Sequence, residues 1–563
     1  MIYDDRPWLK SYDPGINSDI NIPDNSLLDV FKRMEIDFAD EPAAYSFGAS
    51  MSFQEIMNKA DKFAMCLAEN NLLQGDVVVI CLPNVLQYLI ALLGTIKAGC
   101  VASGLSPIAT KNEIKYHLND CRASAFVTLD YIFEKYIVDI SKDLKYLKLV
   151  VPTNLADLLP RVTRIFGKIL KKIPTGKIQK LTNQKVIKFK EIILQYPAYP
   201  TKMELSLDFP ALIQYTGGTT GFPKGAVITH GNILANLNQF NEWVKIEKGK
   251  ELILSGYPMF HMAGLCVGLL SICFGCPQVL IADPRDINHI IKEMKKYKPT
   301  FITNVPSLYV MLIQKQSFIG YDFSNLKACI SSAAPFPTEG IKELEKIVGK
   351  GKVIELYGMT ETGPIIAMNP YKGIKKYGSV GLPFPSTQAR IVDLENEKEL
   401  PIGQKGEIII SGPQVMKYYH NNPKETEIAL REHDGKTWMH TGDIGFMDED
   451  GYLFIVDRLK DMINVGGFKV FSQEVEDCFY EHPAIDTCAI VGVPNPNRKE
   501  SEMVKLVLIK NSAYANMEDD DLREEIFSYA RSRLMPYKFP KIIEIVDSIP
   551  LTKIGKVDKK RLR

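Results

Sequence analysis

The run GDVVVICLP at 75–83 constrains the fold most strongly. A short, continuous apolar run rich in β-branched residues and bounded by glycine and proline reads as a buried strand. A helical pattern follows through Val85–Lys97, then Gly99 and a second short apolar segment, Cys100–Ser103. Further strands are expected at Ala125–Thr128, Leu147–Val151, Phe301–Thr303 and Ala328–Ser331, with helical stretches between several of them. Strands alternating with helices predict parallel α/β sheets. After Leu382 the texture changes. ARIVDLENEKELPIGQKGEIIISG places turn signals between short strands and predicts a smaller β-rich subdomain over about 380–456. GYLFIVDRLKDMINVGG then leads into a mixed α/β tail ending at Arg563.

The balance of 68 Lys and Arg against 67 Asp and Glu leaves a net charge of +1, which gives no global pull toward nucleic acid. Hydrophobic residues at 46% and charged residues at 24% exclude a mainly disordered chain or a fibre. The one CxxC among ten cysteines, Cys273–Cys276, has no second pair or histidine to complete a metal site, so buried reduced thiols are expected. The N-terminal MIYDDRPWLKSYDPG lacks the apolar core of a secretion signal, and a cytoplasmic location is expected.

Two segments bear on membranes. Leu252–Ala282 carries no charged residue and is long enough to span a bilayer. Its Pro258, His261, Pro277, Gln278 and four glycines suit a buried strand, loop and helix better. The second, 161–180, has seven basic residues and no acidic one. Leu158, Leu159, Val162, Ile165, Phe166, Ile169, Leu170 and Ile173 recur at helical spacing, with Arg161, Arg164, Lys168, Lys171 and Lys172 largely opposite. A basic amphipathic helix lying in an anionic membrane surface and a core-packed helix with a solvated basic face both fit this pattern.

The most informative stretch is YTGGTTGFPKGAVITH at 215–230. Gly217, Gly218 and Gly221 permit a tight loop whose backbone N–H groups can surround phosphate oxygens. Thr216, Thr219 and Thr220 add hydroxyl donors, and Lys224 adds charge. It is not a Walker A loop, because Pro223 precedes Lys224 and Gly225 follows it.

With this loop in place the chain resembles the adenylate-forming superfamily of acyl-CoA synthetases, luciferases and peptide-synthetase adenylation domains. YGMTETG at 357–363, TGD at 441–443, DRLKDMINVGGFKVFSQEVE at 457–476 and PLTKIGKVDKKRL at 550–562 follow in order. The resemblance implies an α/β fold. A large N-terminal domain, 1–459, would hold two α/β subdomains and a β-barrel-like one, and a small mobile α+β domain, 460–563, would hinge at Lys460. It also implies a two-step reaction. A carboxylate attacks the α-phosphorus of ATP to give acyl-adenylate and pyrophosphate, and the thiol of coenzyme A then displaces AMP.

The resemblance also implies roles. Residues 216–224 would hold the leaving phosphates, and Glu361 with Thr220 would hold Mg2+, a hard cation suited to oxygen donors. Tyr357 would stack near adenine, followed by Gly358, Met359 and Thr360, with Ser332, Ala333, Ala334 and Pro335 forming the other nucleotide wall. Asp443 and Arg458 would bind the ribose hydroxyls. Lys556 would bridge the substrate carboxylate and the α-phosphate, a cation between two reacting anions. After rotation at Lys460, the 465–469 segment would approach the thiol, with Gly466, Gly467 and Lys469 serving coenzyme A. His261, in PMFHMAG, would position or gate the acyl group.

For the acid itself, RPWLKSYDPG near the N-terminus, PRDINHIIKEMKKYKPTFITNVPSLY at 284–309 and the 155–180 insertion resemble bacterial long-chain fatty-acid–CoA ligases. Each buried CH2 contributes about 0.8 kcal/mol, so a long tail can dominate affinity. Medium-chain or aryl acid–CoA ligases, a fatty-acyl-AMP ligase that loads a carrier protein, and a luciferase-like oxygenase share most motifs. A non-catalytic lipid-binding protein need not keep Lys224, Glu361, Asp443, Arg458 and Lys556 together. The expected partners are a fatty acid and coenzyme A, with peripheral docking on the inner leaflet through 158–173; a homodimer is left open.

Overall fold

The structure is a computed structural model. It describes residues 2–24, 26–160, 173–199, 203–216, 223–466, 468–496, 498, 501–552 and 557–563. The chain forms two compact units, one of residues 11–387 with 411–437, the other of residues 1–10, 388–410 and 438–563.

Two sheets build the larger unit. In the first, strands Val101–Gly104, Val77–Cys81, Ala123–Leu129 and Leu149–Thr153 run parallel. Pro210–Thr216 extends this sheet in parallel, and Lys224–Thr229 and Tyr418–Tyr419 follow antiparallel. Among the described residues the second sheet has nine strands, with Gln278–Leu280, Ile253–Ser255, Phe301–Asn304, Ala328–Ser331 and Val353–Gly358 side by side and parallel. Every residue of Val77–Cys81 is buried, which explains its unbroken apolar run.

The helix Leu86–Lys97 is buried along its whole length. It can lie close against Phe53–Glu69 because Gly94 has no Cβ; one there would stand 2.7 Å from the Ala60 carbonyl oxygen. The buried charge at its end, Lys97, pairs with Asp61 at 2.6 Å. The uncharged 252–282 stretch resolves into strand Ile253–Ser255, helix Met262–Cys273 and strand Gln278–Leu280. Among the described residues no helix is long and apolar enough to cross a membrane. All ten cysteines are free thiols, and nine are buried. Residues 161–172, most of the basic stripe, lie outside the described residues.

In the smaller unit, strands Gln388–Val392, Gly406–Ser411, Lys436–Met447 and Leu453–Arg458 lie next to one another in a β-rich sheet. Fully buried Trp8 packs so tightly on Gly451 that a Cβ there would lie 2.3 Å from the Trp8 Cα. The C-terminal part pairs Ile485–Pro494 antiparallel with Glu502–Lys510, which runs parallel to Ile542–Ile545. Helices Ser472–Tyr480 and Asp519–Arg533 complete its core through Val475, Phe479, Leu522 and Ile526.

Candidate active site

The glycine- and threonine-rich loop rises from a two-stranded stem in which Thr216 lies opposite Lys224 and Tyr215 opposite Gly225. Gly217, Gly218, Thr219, Thr220 and Gly221 fall outside the described residues. Their stem is held from several sides. The Tyr116 hydroxyl donates to the Pro223 carbonyl at 3.0 Å, and Tyr215 donates to the Asp120 carboxylate. The His420 backbone amide donates to the Gly225 carbonyl at 2.7 Å, and the Asn421 side-chain Nδ2 to the Asp120 carbonyl at 3.1 Å. Behind Tyr215, the buried His117 ring bonds to Ser103 at 2.8 Å, and burial pulls its pKa down to about 3. It is therefore a neutral packing partner at any physiological pH.

Glu361 sits in a one-turn helix, Thr360–Thr362, just past strand Val353–Gly358. It is 6% exposed; its Oε1 accepts from the Tyr419 hydroxyl at 2.6 Å, and its carbonyl accepts from the Met416 amide at 2.7 Å. The Lys224 ammonium lies 4.9 Å from the Tyr419 ring centroid and 2.5 Å from Glu425 Oε2. Tyr419 thus bridges the sequence-predicted carboxylate and the sequence-predicted lysine. Burial, reinforced by the neighbouring Glu361 charge, holds the Tyr419 phenol far above its ordinary pKa, so it stays a donor. Sequence reasoning missed Tyr419 and Glu425. The only local signal was a helix start at Asn422–Pro423, and the contacts span 58 and 201 residues.

The residues expected to form the nucleotide wall emerge together. Ala328–Ser331 and Val353–Gly358 are adjacent parallel strands with Ser331 opposite Glu355. Ser332, Ala333, Ala334 and Pro335 therefore leave one strand beside Tyr357, Gly358, Met359 and Thr360 at the carboxyl end of its neighbour, where open α/β sheets bind ligands. Ala333 adopts a left-handed φ of 70°, an uncommon conformation for a residue with a Cβ. The buried Tyr257 hydroxyl bonds to Ser332 Oγ at 2.7 Å and to the Asn304 carbonyl at 2.8 Å.

His261 caps helix Met262–Cys273, its Nδ1 accepting from the Ala263 amide at 3.3 Å. The preceding Phe260 carbonyl accepts from Gln214 at 2.6 Å, which ties the His261 turn to the strand leading into the glycine- and threonine-rich loop. Asn84 and Tyr88 make similar ties, donating to the carbonyls of Tyr257 and Met259 at 2.8 Å. These bonds join the carboxyl ends of the two sheets.

The smaller unit carries the remaining predicted residues. Asp443, 2% exposed, lies directly across the sheet from Arg458, with Arg458 Nε 2.9 Å from Asp443 Oδ1. Such a carboxylate, oriented by a cation, can accept hydroxyl donors. Its strand is set by Glu407, which meets His440 Nδ1 at 2.9 Å and accepts from the Gly442 amide at 3.0 Å. Lys460 follows in a turn whose carbonyl accepts from Arg563 at 3.1 Å.

Gly466, with φ of 60°, turns the hairpin between Ile463–Val465 and Phe468–Val470 and donates to Ser501 Oγ at 2.9 Å. Lys469 reaches Glu395 at 3.3 Å. Gly467 and Lys556 lie outside the described residues. The segment containing Lys556 is bracketed by a bridge between Leu551 and Val557, and Lys559 beyond it is anchored on Glu476 at 2.8 Å.

For Mg2+, the donor chemistry at Glu361 fits: a buried carboxylate supplies hard oxygens, and the Lys224 cation packs over the Tyr419 ring that bonds to it.

Residues 33–420 match the AMP-binding enzyme family, and residues 474–556 match the AMP-binding enzyme C-terminal domain. The chain is 36% identical to a long-chain-fatty-acid–CoA ligase of Escherichia coli O6:H1, over 99% of this chain and 98% of that one. A long-chain-fatty-acid–CoA ligase of Bacillus subtilis is also 36% identical, over 99% and 97%. Among solved structures, ATP-bound MatB from Rhodopseudomonas palustris superposes with a TM-score of 0.80 at 25% identity, covering 96% of this chain and 98% of that one. The anthranilate CoA ligase AuaEII has the same fold, with a TM-score of 0.82 at 23% identity and 97% of each chain covered. The chain belongs to the AMP-binding enzyme family, among the acyl-CoA synthetases of the adenylate-forming superfamily.

Proposed function

We propose that this chain is a long-chain-fatty-acid–CoA ligase, which activates a fatty acid with ATP to acyl-adenylate and transfers the acyl group to coenzyme A. The observation that carries the reading is the meeting of Glu361 and Lys224 on Tyr419, at the stem of a glycine- and threonine-rich loop. A cation and a hard-oxygen carboxylate there suit a polyphosphate and its metal ion. Full-length similarity to long-chain-fatty-acid–CoA ligases supports the chain length.

In the first half-reaction the fatty-acid carboxylate attacks the α-phosphorus, the bond to the β-phosphate bridging oxygen breaks, and pyrophosphate leaves. Two anions must approach, so donors and cations fixed in advance lower the barrier. Loop residues 216–221 with Lys224 bind the leaving phosphates, Asp443 and Arg458 hold the ribose, and Lys556 bridges carboxylate and α-phosphate. Glu361 and Thr220 would hold Mg2+, which when bound neutralises phosphate charge. In the second half-reaction, residues 460–563 turn about Lys460, bringing Gly466, Gly467 and Lys469 toward the coenzyme A thiol. Its sulfur attacks the acyl carbon and AMP leaves. His261 positions the acyl group.

A panel of short-chain to long-chain and aryl acids with ATP, magnesium and coenzyme A, read by mass spectrometry, tests the reading. Long-chain acyl-CoA is the expected product. Acyl-AMP without acyl-CoA from any acid would overturn the ligase assignment. Lys556→Ala should damage adenylation far more than thioester formation from supplied acyl-AMP, and equal loss in both would count against the rotation.

Peripheral docking on an anionic leaflet through 158–173 is part of the same proposal, supported by the joint apolar and basic periodicity of that segment. Equal co-sedimentation with anionic liposomes by the wild type and a variant neutralised at Arg164, Lys168, Lys171 and Lys172 would sink it.

A further inference from the structure

Lys224 does not stand ready for phosphate; it is already engaged by Glu425. The ammonium is 2.5 Å from Glu425 Oε2 and packs over the Tyr419 ring. Both partners reach solvent, with side chains 24% and 37% exposed, so an incoming anion has access to the pair. Glu425 is held in place. Its amide is capped by the Asn422 carboxamide at 3.3 Å, and neighbouring Thr426 Oγ1 accepts from the Tyr419 amide at 3.0 Å. The short helix Pro423–Ala429 is thereby tied to strand Tyr418–Tyr419, which is paired with Lys224–Thr229 itself. A carboxylate fixed beside a phosphate-binding lysine has two consequences. It neutralises the lysine while the site holds no nucleotide, and it opposes any polyphosphate that takes the lysine away.

We infer that Glu425 is an exchangeable counter-anion for Lys224, a positioning residue that weakens polyphosphate binding and helps pyrophosphate to leave. The inference rests on the proposed role of Lys224 in holding the leaving phosphates. On binding, the ATP phosphates displace the Glu425 carboxylate from the ammonium. On release the carboxylate returns, so that the lysine is never left unpaired as pyrophosphate departs. The carboxylate's single charge loses to a polyphosphate bearing several, yet its fixed position lowers the net gain. Tyr419, buried and bonded to Glu361, provides the platform on which the ammonium turns from one anion to the other.

The test uses the full chain and four variants: Glu425→Gln, Glu425→Asp, Lys224→Ala and the double variant Lys224→Ala/Glu425→Gln. The measurements are the ATP dissociation constant by calorimetry with magnesium and without fatty acid, product inhibition by pyrophosphate, and the split between KM for ATP and kcat. Glu425→Gln should tighten both ATP and pyrophosphate by about two- to fivefold, the range of a partly exposed ion pair. KM for ATP should fall without a rise in kcat. Glu425→Asp should stay near the wild type, Lys224→Ala should weaken both ligands, and adding Glu425→Gln to Lys224→Ala should gain nothing. Unchanged or weaker ATP binding in Glu425→Gln, with Lys224→Ala still weakened, would overturn the inference alone. Unchanged binding in Lys224→Ala would overturn the phosphate role of Lys224 and the inference with it.

Discussion

The ion pair at the end of the buried helix gives a prediction whose size follows from its surroundings. Lys97 Nζ lies 2.6 Å from Asp61 Oδ1 with side chains only 9% and 6% exposed, and Glu35 stands 3.9 Å away. Burial raises the Asp61 carboxyl pKa, and the Lys97 charge is what pulls it back; Glu35 is raised by burial in the same way. Lys97→Met would leave buried Asp61 facing a low-dielectric space without a cation, beside a Glu35 that is 34% exposed. Breaking one side of a buried pair costs about 3–5 kcal/mol. At roughly 1–2 °C per kcal/mol for a unit of this size, the melting transition should fall by about 3–10 °C.

The pH sign is fixed. In the variant the folded Asp61 pKa rises further above its unfolded value. Its favourable contribution is then fully present below the unfolded pKa and is lost as pH rises through the folded one. The deficit should therefore be small near pH 4 and full at pH 7.5. Asp61→Leu/Lys97→Met removes both charges and should recover most of the loss, since apolar replacement of a buried pair is often neutral or stabilising. Calorimetric scans at the two pH values would decide it. A loss below about 1 kcal/mol at pH 7.5, or a double variant as unstable as Lys97→Met, would refute the reasoning.

Two further outcomes are expected. Gly256→Ala places a Cβ 1.9 Å from Asn304 Oδ1 and 2.7 Å from Leu308 Cδ2, inside a fully buried contact, and should cost about 1–3 kcal/mol by overpacking, measured by chemical denaturation. Burial pushes the Glu355 carboxyl up from 4.5 to about 8, so its contribution is full below pH 4.5 and lost as pH rises toward 8. Glu355→Gln should flatten that part of the stability profile, with an advantage over wild type growing to about 1–3 kcal/mol at pH 8 after allowance for its partial exposure. Parallel profiles for the two proteins would contradict the assignment.

What residue order alone determined is local. Val77–Cys81 reads as a strand because a parallel strand covered on both faces must be apolar throughout, and Leu86–Lys97 reads as a helix because its apolar run is too long for a strand and carries no proline. The loop at 215–230 is legible because glycine and threonine in that density suit a phosphate cradle, and the ordered motifs around Glu361, Asp443 and Arg458 carry the family. Tertiary structure decided the partners. Asp443 and Arg458 face each other only once strands Lys436–Met447 and Leu453–Arg458 pair in register, and residues 388–410 cluster with 438–563 across an intervening segment that joins the other unit. Glu425 meets Lys224 from 201 residues away because Tyr418–Tyr419 adds an antiparallel edge to Lys224–Thr229. The physical reason is the range of the forces involved. Periodicity and backbone freedom act over a few residues and are written in their order, whereas a charge's partner depends on which strands and helices bury their apolar faces against one another.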